Sequence, residues 1–271
     1  MDPSRAHEIA VAVLEALDGN RQRAPFSSAL QGLSTRDAYA VTAELRRLRT
    51  GRGEAKLGRK IGFTNRNIWP EYGVYEPIWG DMYDTTVHDV APGDRIAVMH
   101  LPEPRIEPEI VFGLRSDLRG EVGLADVVDA LDWVAHGFEF VQSIYPDWAF
   151  KTADTIANCG LHGALFIGPR RRLVASDRPK LAANLSALRI SLYRDGEPVD
   201  RGVGANALDG PVEALSHLVK VLEKDRLNPP LRAGEIVTTG TLTRAFPVSR
   251  GERWSTVVDG LELPGLAVEI G

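Results

Sequence analysis

The chain has 271 residues, 44% of them hydrophobic and 25% charged, which suits a globular protein with a sizeable core and excludes a disordered or fibrous one. A formal net charge of −5 argues against a general nucleic-acid binder, because phosphate contacts need a basic surface. No apolar run reaches transmembrane length, the start Met1-Asp2-Pro3-Ser4-Arg5 lacks signal-peptide character, and the single Cys159 cannot close an internal disulfide, so a cytoplasmic protein with no membrane or nucleic-acid partner is expected.

Residues 6–18 carry Ile9, Val13, Leu14 and Leu17 at helical spacing, and Gly19-Asn20 closes them as a helix. The stretch from Arg21 to Gly32 is polar and reads as irregular. Ser34 with Asp37 predicts the cap of a second helix over Ala38–Leu48, which runs into a basic, glycine-ended segment, Arg46 to Gly53. Lys60-Ile61-Gly62-Phe63-Thr64 then reads as a short strand with Lys60 and Gly62 on one face. Residues 65–80 form a loop rich in Trp, Tyr and Pro, suited to lining a small-molecule pocket or to plugging a core.

Strands are predicted at Val87–Val90 and Arg95–Met99, joined by the turn Ala91-Pro92-Gly93-Asp94. In Arg105 to Leu114, Glu107 and Glu109 alternate with Ile106, Pro108 and Ile110, so both carboxylates fall on one face of a strand. Such a pair either faces water or shares a positive partner, and a hard divalent cation is one such partner. A helix is predicted over Leu124–Val134, then a strand Gly137–Val141 whose lone acid, Glu139, sits among apolar residues.

Further strands are predicted at Leu165–Ile167 and Leu188–Tyr193, the latter leading into the hairpin turn Arg194-Asp195-Gly196-Glu197. A helix at Val212–Lys224 opens on Pro211, and strands follow at Glu235–Thr239, Trp254–Val258 and Leu266–Ile270. Many short strands without βαβ alternation predict an α+β chain. The expected architecture is a mixed, mainly antiparallel β-roll or sandwich over 58–271, preceded by a helical region over 1–57.

Gly202-Val203-Gly204-Ala205-Asn206-Ala207 fits a dinucleotide-binding spacing but follows a polar loop instead of a buried strand, so the reading is rejected. Cys159 is expected to be packed, not nucleophilic. His162, between glycines, is a candidate donor or base near neutral pH. Glu107, Glu109 and Glu139 form the best metal set. With no His or Cys among them, they favour Mg²⁺ or Mn²⁺ over zinc.

The Glu-x-Glu strand, Glu139, Lys60-Ile61-Gly62-Phe63-Thr64 and Gly234-Glu235-Ile236-Val237-Thr238-Thr239-Gly240-Thr241 together resemble the fumarylacetoacetate hydrolase superfamily, in its 2-keto-4-pentenoate hydratase and oxalocrotonate decarboxylase branch. The resemblance spans almost the whole chain. It implies a β-roll and a Mg²⁺ or Mn²⁺ ion on Glu107, Glu109 and Glu139 that chelates a small 2-oxo acid through its carboxylate and keto oxygens. It also implies Lys60 as an acid–base group and Gly240-Thr241 against the substrate carboxylate; His162 is the second candidate acid–base group, Thr64, Gln142 and Lys151 are further candidates around the substrate, and a homodimer or larger homo-oligomer is expected.

Three stretches depart from the family. Pro77-Ile78-Trp79-Gly80 lacks the acid usual there and is followed by Asp81, Gln142-Ser143-Ile144 replaces an Asp-Ser-Arg-like run, and a basic residue is displaced to Lys151. Three activities are therefore compatible with the chain. The first is hydration of a 2-hydroxy-2,4-dienoate, with Ile78, Trp79 and Trp69 as an apolar far wall. The second is decarboxylation of a 2-oxo diacid or C–C hydrolysis of an acylpyruvate, with Lys151 or Arg244 as a second basic contact. The third is non-catalytic ligand binding through the aromatic loop.

Overall fold

The computed structural model describes residues 1–29 and 32–271. Three helices lead the chain, α1 (Pro3–Asp18), the single turn α2 (Phe26–Ala29) and α3 (Thr35–Gly51), and a further single turn, α4 (Trp69–Tyr72), lies in the aromatic stretch 65–80. The Arg21–Gly32 segment expected to be irregular thus contains α2, while its residues 30–31 lie outside the described residues. Ser34 caps α3 reciprocally: its Oγ accepts from the Asp37 N–H at 3.1 Å and the Asp37 carboxylate accepts from the Ser34 N–H at 3.3 Å. The apolar stripes of α1 (Ile9, Val13) and α3 (Val41, Leu45) share one core with Ile144, Tyr145 and Ile156, so the leading helices dock on the remainder of the chain.

The strands are β1 (Lys56–Gly62), β2 (Ile78–Tyr83), β3 (Val87–Asp89), β4 (Asp94–Ile96), β5 (Arg105–Leu114), β6 (Leu131–Val141) and β7 (His162–Ile167). They continue with β8 (Arg171–Arg172), β9 (Arg189–Arg194), β10 (Glu197–Val203), β11 (Ile236–Thr241), β12 (Phe246–Pro247), β13 (Arg253–Asp259) and β14 (Ala267–Ile270). One curled sheet runs β2-β1-β11-β5-β6-β7-β3, with β12 on β5 and β8 on β6; a second runs β10-β9-β13-β14-β4. Most pairings are antiparallel; β1 with β11, β3 with β7 and β14 with β4 are parallel. This is the mixed α+β roll expected from the sequence.

Period-two alternation along β5 and β6 divides the first sheet into two faces. Ile106, Phe138, Phe140 and Phe166 meet Leu192, Trp254 and Val268 of the second sheet. Further along the same face, Ile110, Phe112 and Val134 meet the helices α5 (Leu124–Ala130), α7 (Leu181–Ala187) and α8 (Pro211–Lys224). The opposite face carries Glu107, Glu109 and Glu139, then the apolar plug Met82, Val111, Ala135, Leu165 and Ile167.

The boundaries correct two expectations. The helix predicted to run to Val134 ends at Ala130, and Leu131 starts β6 at once. Val127, Val128, Leu131 and Val134 fit a helical stripe, but pairing with the long β5 ladder gives Leu131–Val134 both hydrogen bonds and apolar neighbours. The strand predicted over Arg95–Met99 is shorter, Asp94–Ile96. The glycine-rich run at 202–207 ends β10 and turns through Gly204–Asn206, with no helix opening on it before Pro211.

Candidate active site

Glu107 and Glu109 lie on one face of β5, and Glu139 of β6 is the direct register partner of Glu107. One carboxylate oxygen from each of the three lies within 4.8 Å of the others. Glu109 and Glu139 are fully buried, and Glu107 reaches a cavity. Lys60 of β1 comes to the same face across β11 and is itself buried, with its Nζ 3.1 Å from Glu139 Oε2.

Two irregularities in the ladders complete this corner. Between Thr238 and Thr241, β11 holds one residue more than β5 opposite it. Gly240 takes φ +94° there, and a Cβ on it would overlap the Thr64 side chain. That geometry aims the Gly240 N–H at Glu109 Oε2, 2.8 Å away. Likewise β7 holds one residue more than β6 where Phe140 pairs with Ala164 and Val141 with His162; the extra residue is Gly163. The bulge turns His162 onto the face of the acids, where its Nδ1 lies 2.8 Å from Glu139 Oε1 and its Nε2 2.9 Å from Thr86 Oγ1.

Glu107 and Lys60 line a cavity of about 590 Å³, with Glu109 and Glu139 buried next to them. Thr64, Gly240 and Thr241 line it beside them; Ile78, Val141, Phe150 and Leu161 supply apolar wall. Of the far-wall residues expected from sequence, only Ile78 takes that position. Trp79, its neighbour on β2, points the other way and is buried against Tyr39, and the Trp69 indole donates to the Phe63 carbonyl. His162 and Gln142 stand behind the wall: the Gln142 amide donates to the His162 carbonyl at 3.2 Å. Lys151 is exposed beside a separate groove, ahead of α6 (Thr152–Ala157). Cys159 is buried, and burial pushes its thiol up to about 11.

Arg105 lines the cavity with its guanidinium 4.1 Å from the Trp148 ring, and the sequence reading passed over it. Its signal was parity, since it shares the face of Glu107 and Glu109. Arg201 and Arg244 also line the cavity, with Arg244 held to Asp200 at 3.1 Å.

Burial raises Glu107 to about 7, against the pull of Lys60, and raises Glu109 well above the usual carboxylate range, with Glu139 adding repulsion. Glu139 is buried just as deeply, but Lys60 and the His162 bond outweigh the desolvation and hold it at about 2. Burial draws Lys60 down, yet the three carboxylates prevail and raise it. Glu109 Oε1 is buried with no hydrogen-bond partner among the described residues, which is costly for an acid and suits a ligand oxygen of a cation site. An all-carboxylate donor set fits Mg²⁺ or Mn²⁺.

The pattern of the fumarylacetoacetate (FAA) hydrolase C-terminal family matches residues 84–263, more than half of the chain. The chain belongs to this family. It is 32% identical over 248 residues to a 2-hydroxyhexa-2,4-dienoate hydratase of Comamonas testosteroni, covering 91% of each chain. It is 30% identical over 262 residues to a 2-keto-4-pentenoate hydratase of Paraburkholderia xenovorans, covering 96% of this chain and 94% of that one. Among solved structures, 4-oxalocrotonate decarboxylase from Pseudomonas putida G7, complexed with magnesium and adipate, superposes with a TM-score of 0.91 at 25% identity, over 100% of this chain and 99% of that one.

Proposed function

We propose that the protein is a divalent-metal-dependent hydro-lyase that adds water to a 2-hydroxy-2,4-dienoate through its 2-oxo tautomer. The observation that carries the reading is the three-glutamate corner, whose Glu107 lines a mixed polar and apolar cavity together with Lys60, in a chain whose relatives over most of its length include hydratases. Glu107, Glu109 and Glu139 would hold Mg²⁺ or Mn²⁺, which when bound supplies Lewis acidity to a 2-oxo carboxylate. Thr64, Gly240 and Thr241 bound the place for that carboxylate, while Ile78, Val141 and Leu161 keep bulk water from the carbon chain.

Lys60 is the proton carrier. The same carboxylates that hold its proton are the ones a cation would neutralise, and burial then draws its pKa down toward a working range. The protein is assigned to the cytoplasm as a homodimer or larger homo-oligomer. Consistent with a water-borne enzyme, no helix among the described residues is long and apolar enough to cross a membrane.

The test is a panel of 2-oxo-enoates with Mg²⁺, following dienol absorbance and carbon dioxide release together. Dienol loss without carbon dioxide, abolished by EDTA and restored by Mg²⁺, is the expected result. Turnover unaffected by EDTA sinks the metal role, and no turnover of any member favours a binding protein. A second reading, decarboxylation of a 2-oxo diacid, is favoured by Arg105, Arg201 and Arg244 lining the cavity, and predicts carbon dioxide from dicarboxylates only.

A further inference from the structure

His162 is not among the residues that line the cavity. It is buried behind Glu139, with a partner on each ring nitrogen. Glu139 Oε1 is a carboxylate oxygen and accepts, so Nδ1 carries the hydrogen; Nε2, at 2.9 Å, is then the nearer of two acceptors for the single Thr86 hydroxyl hydrogen, the other being the Tyr83 carbonyl at 3.2 Å. Thr86 is tied in turn: its Oγ1 accepts the Tyr83 N–H at 3.2 Å, and its carbonyl accepts the Leu165 N–H at 2.8 Å. A continuous line of hydrogen bonds therefore runs from the turn after β2, through the ring, to one oxygen of Glu139.

The other oxygen, Oε2, is left facing Lys60. The line exists because of the Gly163 bulge. Without the extra residue His162 would share the face of Ala164, which packs into the apolar layer between the sheets. A side chain at Gly163 would meet the Phe140 carbonyl at 2.7 Å and Leu101 at 2.9 Å, so the bulge needs glycine there.

We infer that His162, braced by Thr86, is a positioning residue that locks Glu139 in one rotamer, commits Oε1 to the ring and reserves Oε2 for the divalent cation. This rests on the reading of the three glutamates as a metal site. A ligand carboxylate held from behind loses less freedom on binding the ion, and loss of such an outer partner costs about 10- to 100-fold in metal affinity or activity.

The test uses the full chain stripped of metal and titrated with Mn²⁺ alone by calorimetry, beside a Mg²⁺ activation curve. His162→Leu removes the donor, whereas His162→Asn keeps an N–H close to where Nδ1 stood. The expected result is Mn²⁺ binding weakened about 10- to 100-fold in His162→Leu and restored to within a few-fold in His162→Asn. With Mg²⁺ saturating, kcat stays within about twofold of the parent, as expected for a group that orders a ligand and moves no proton. Parental Mn²⁺ affinity in His162→Leu, or a collapsed kcat at saturating Mg²⁺, overturns the inference. Should His162→Leu fail to fold, Thr86→Val decides: weaker Mn²⁺ binding supports the bracing line and parental binding overturns it. A parent chain that binds no Mn²⁺ at all sinks the metal reading itself, which is a different outcome from a parent and variant that bind alike.

Discussion

Arg59 and Lys60 are neighbours on β1, and their side chains enter two buried charge clusters on opposite faces of the same strand. On the Arg59 side, the guanidinium lies 3.3 Å from Glu235 and 3.6 Å from Asp81 and donates to the Pro229 carbonyl; Arg46 holds Asp81 at 2.7 Å and Lys56 holds Glu235 at 2.8 Å. Three cations face two acids, every charge has a partner, and none of these residues lines the active-site cavity. On the Lys60 side, three carboxyl groups face one cation, leaving two of them uncompensated beside the cavity. A closed network spends its charges on one another; an open one with an excess of two is matched to a divalent ion. Asp81, the acid displaced past Gly80, belongs to the closed side.

The largest effect should come from Glu109→Gln. Activity is expected to fall about a thousandfold or more, since a Lewis acid is worth several kcal/mol, while the metal-free chain melts at the same or a higher temperature because one buried acid is gone. Retained activity with a sharp loss of stability would make the acid corner a structural cluster like its counterpart.

Lys60→Met should lower kcat by about 10²- to 10⁴-fold, the usual worth of a positioned acid–base group. Near-normal turnover of every 2-oxo acid in the panel removes the role assigned to Lys60. The reverse signature is expected on the other face. Arg59→Met leaves Asp81 to Arg46 and Glu235 to Lys56 but strips the Pro229 carbonyl of its buried donor, and should cost about 1–3 kcal/mol in urea unfolding, with kcat of the folded fraction kept.

The smallest effect is a pH dependence. Burial raises Glu107 to about 7 from the usual 4.5 of a glutamate. A carboxyl whose folded pKa is raised stabilises the fold relative to its ionised form below about 4.5, and that contribution is lost as pH rises through 7. Metal-free Glu107→Gln should therefore gain on the parent between these limits, by about 2 kcal/mol after discounting for the water that reaches the cavity. A difference flat with pH would mean that the third acid is not strained in the metal-free protein.

Much of the site could be read from short-range rules. Parity placed Glu107 and Glu109 on one face, and oxygen-only donors pointed to a hard cation. The same parity carries Arg105 to that face, but a lone cation at the start of a strand has no local pattern to set it apart from a surface charge. Residues further from the alternation rule fared differently: Trp79 sits one step from Ile78 and therefore on the wrong face to line the cavity, and Lys151 stays outside it. The helix drawn to Val134 erred because a short apolar run suits a helix stripe and a buried strand equally.

The sequence by itself determined the family, the α+β class and the identity of the acids, because those depend on residue types and local period. Only the tertiary structure decided that Glu139 pairs with Glu107 in register, that Lys60 reaches Glu139 across β11, and that His162 stands behind Glu139. The physical reason is that a single extra residue in a ladder reverses which face every later side chain takes, and strand pairing across a hundred residues leaves no mark in the local pattern.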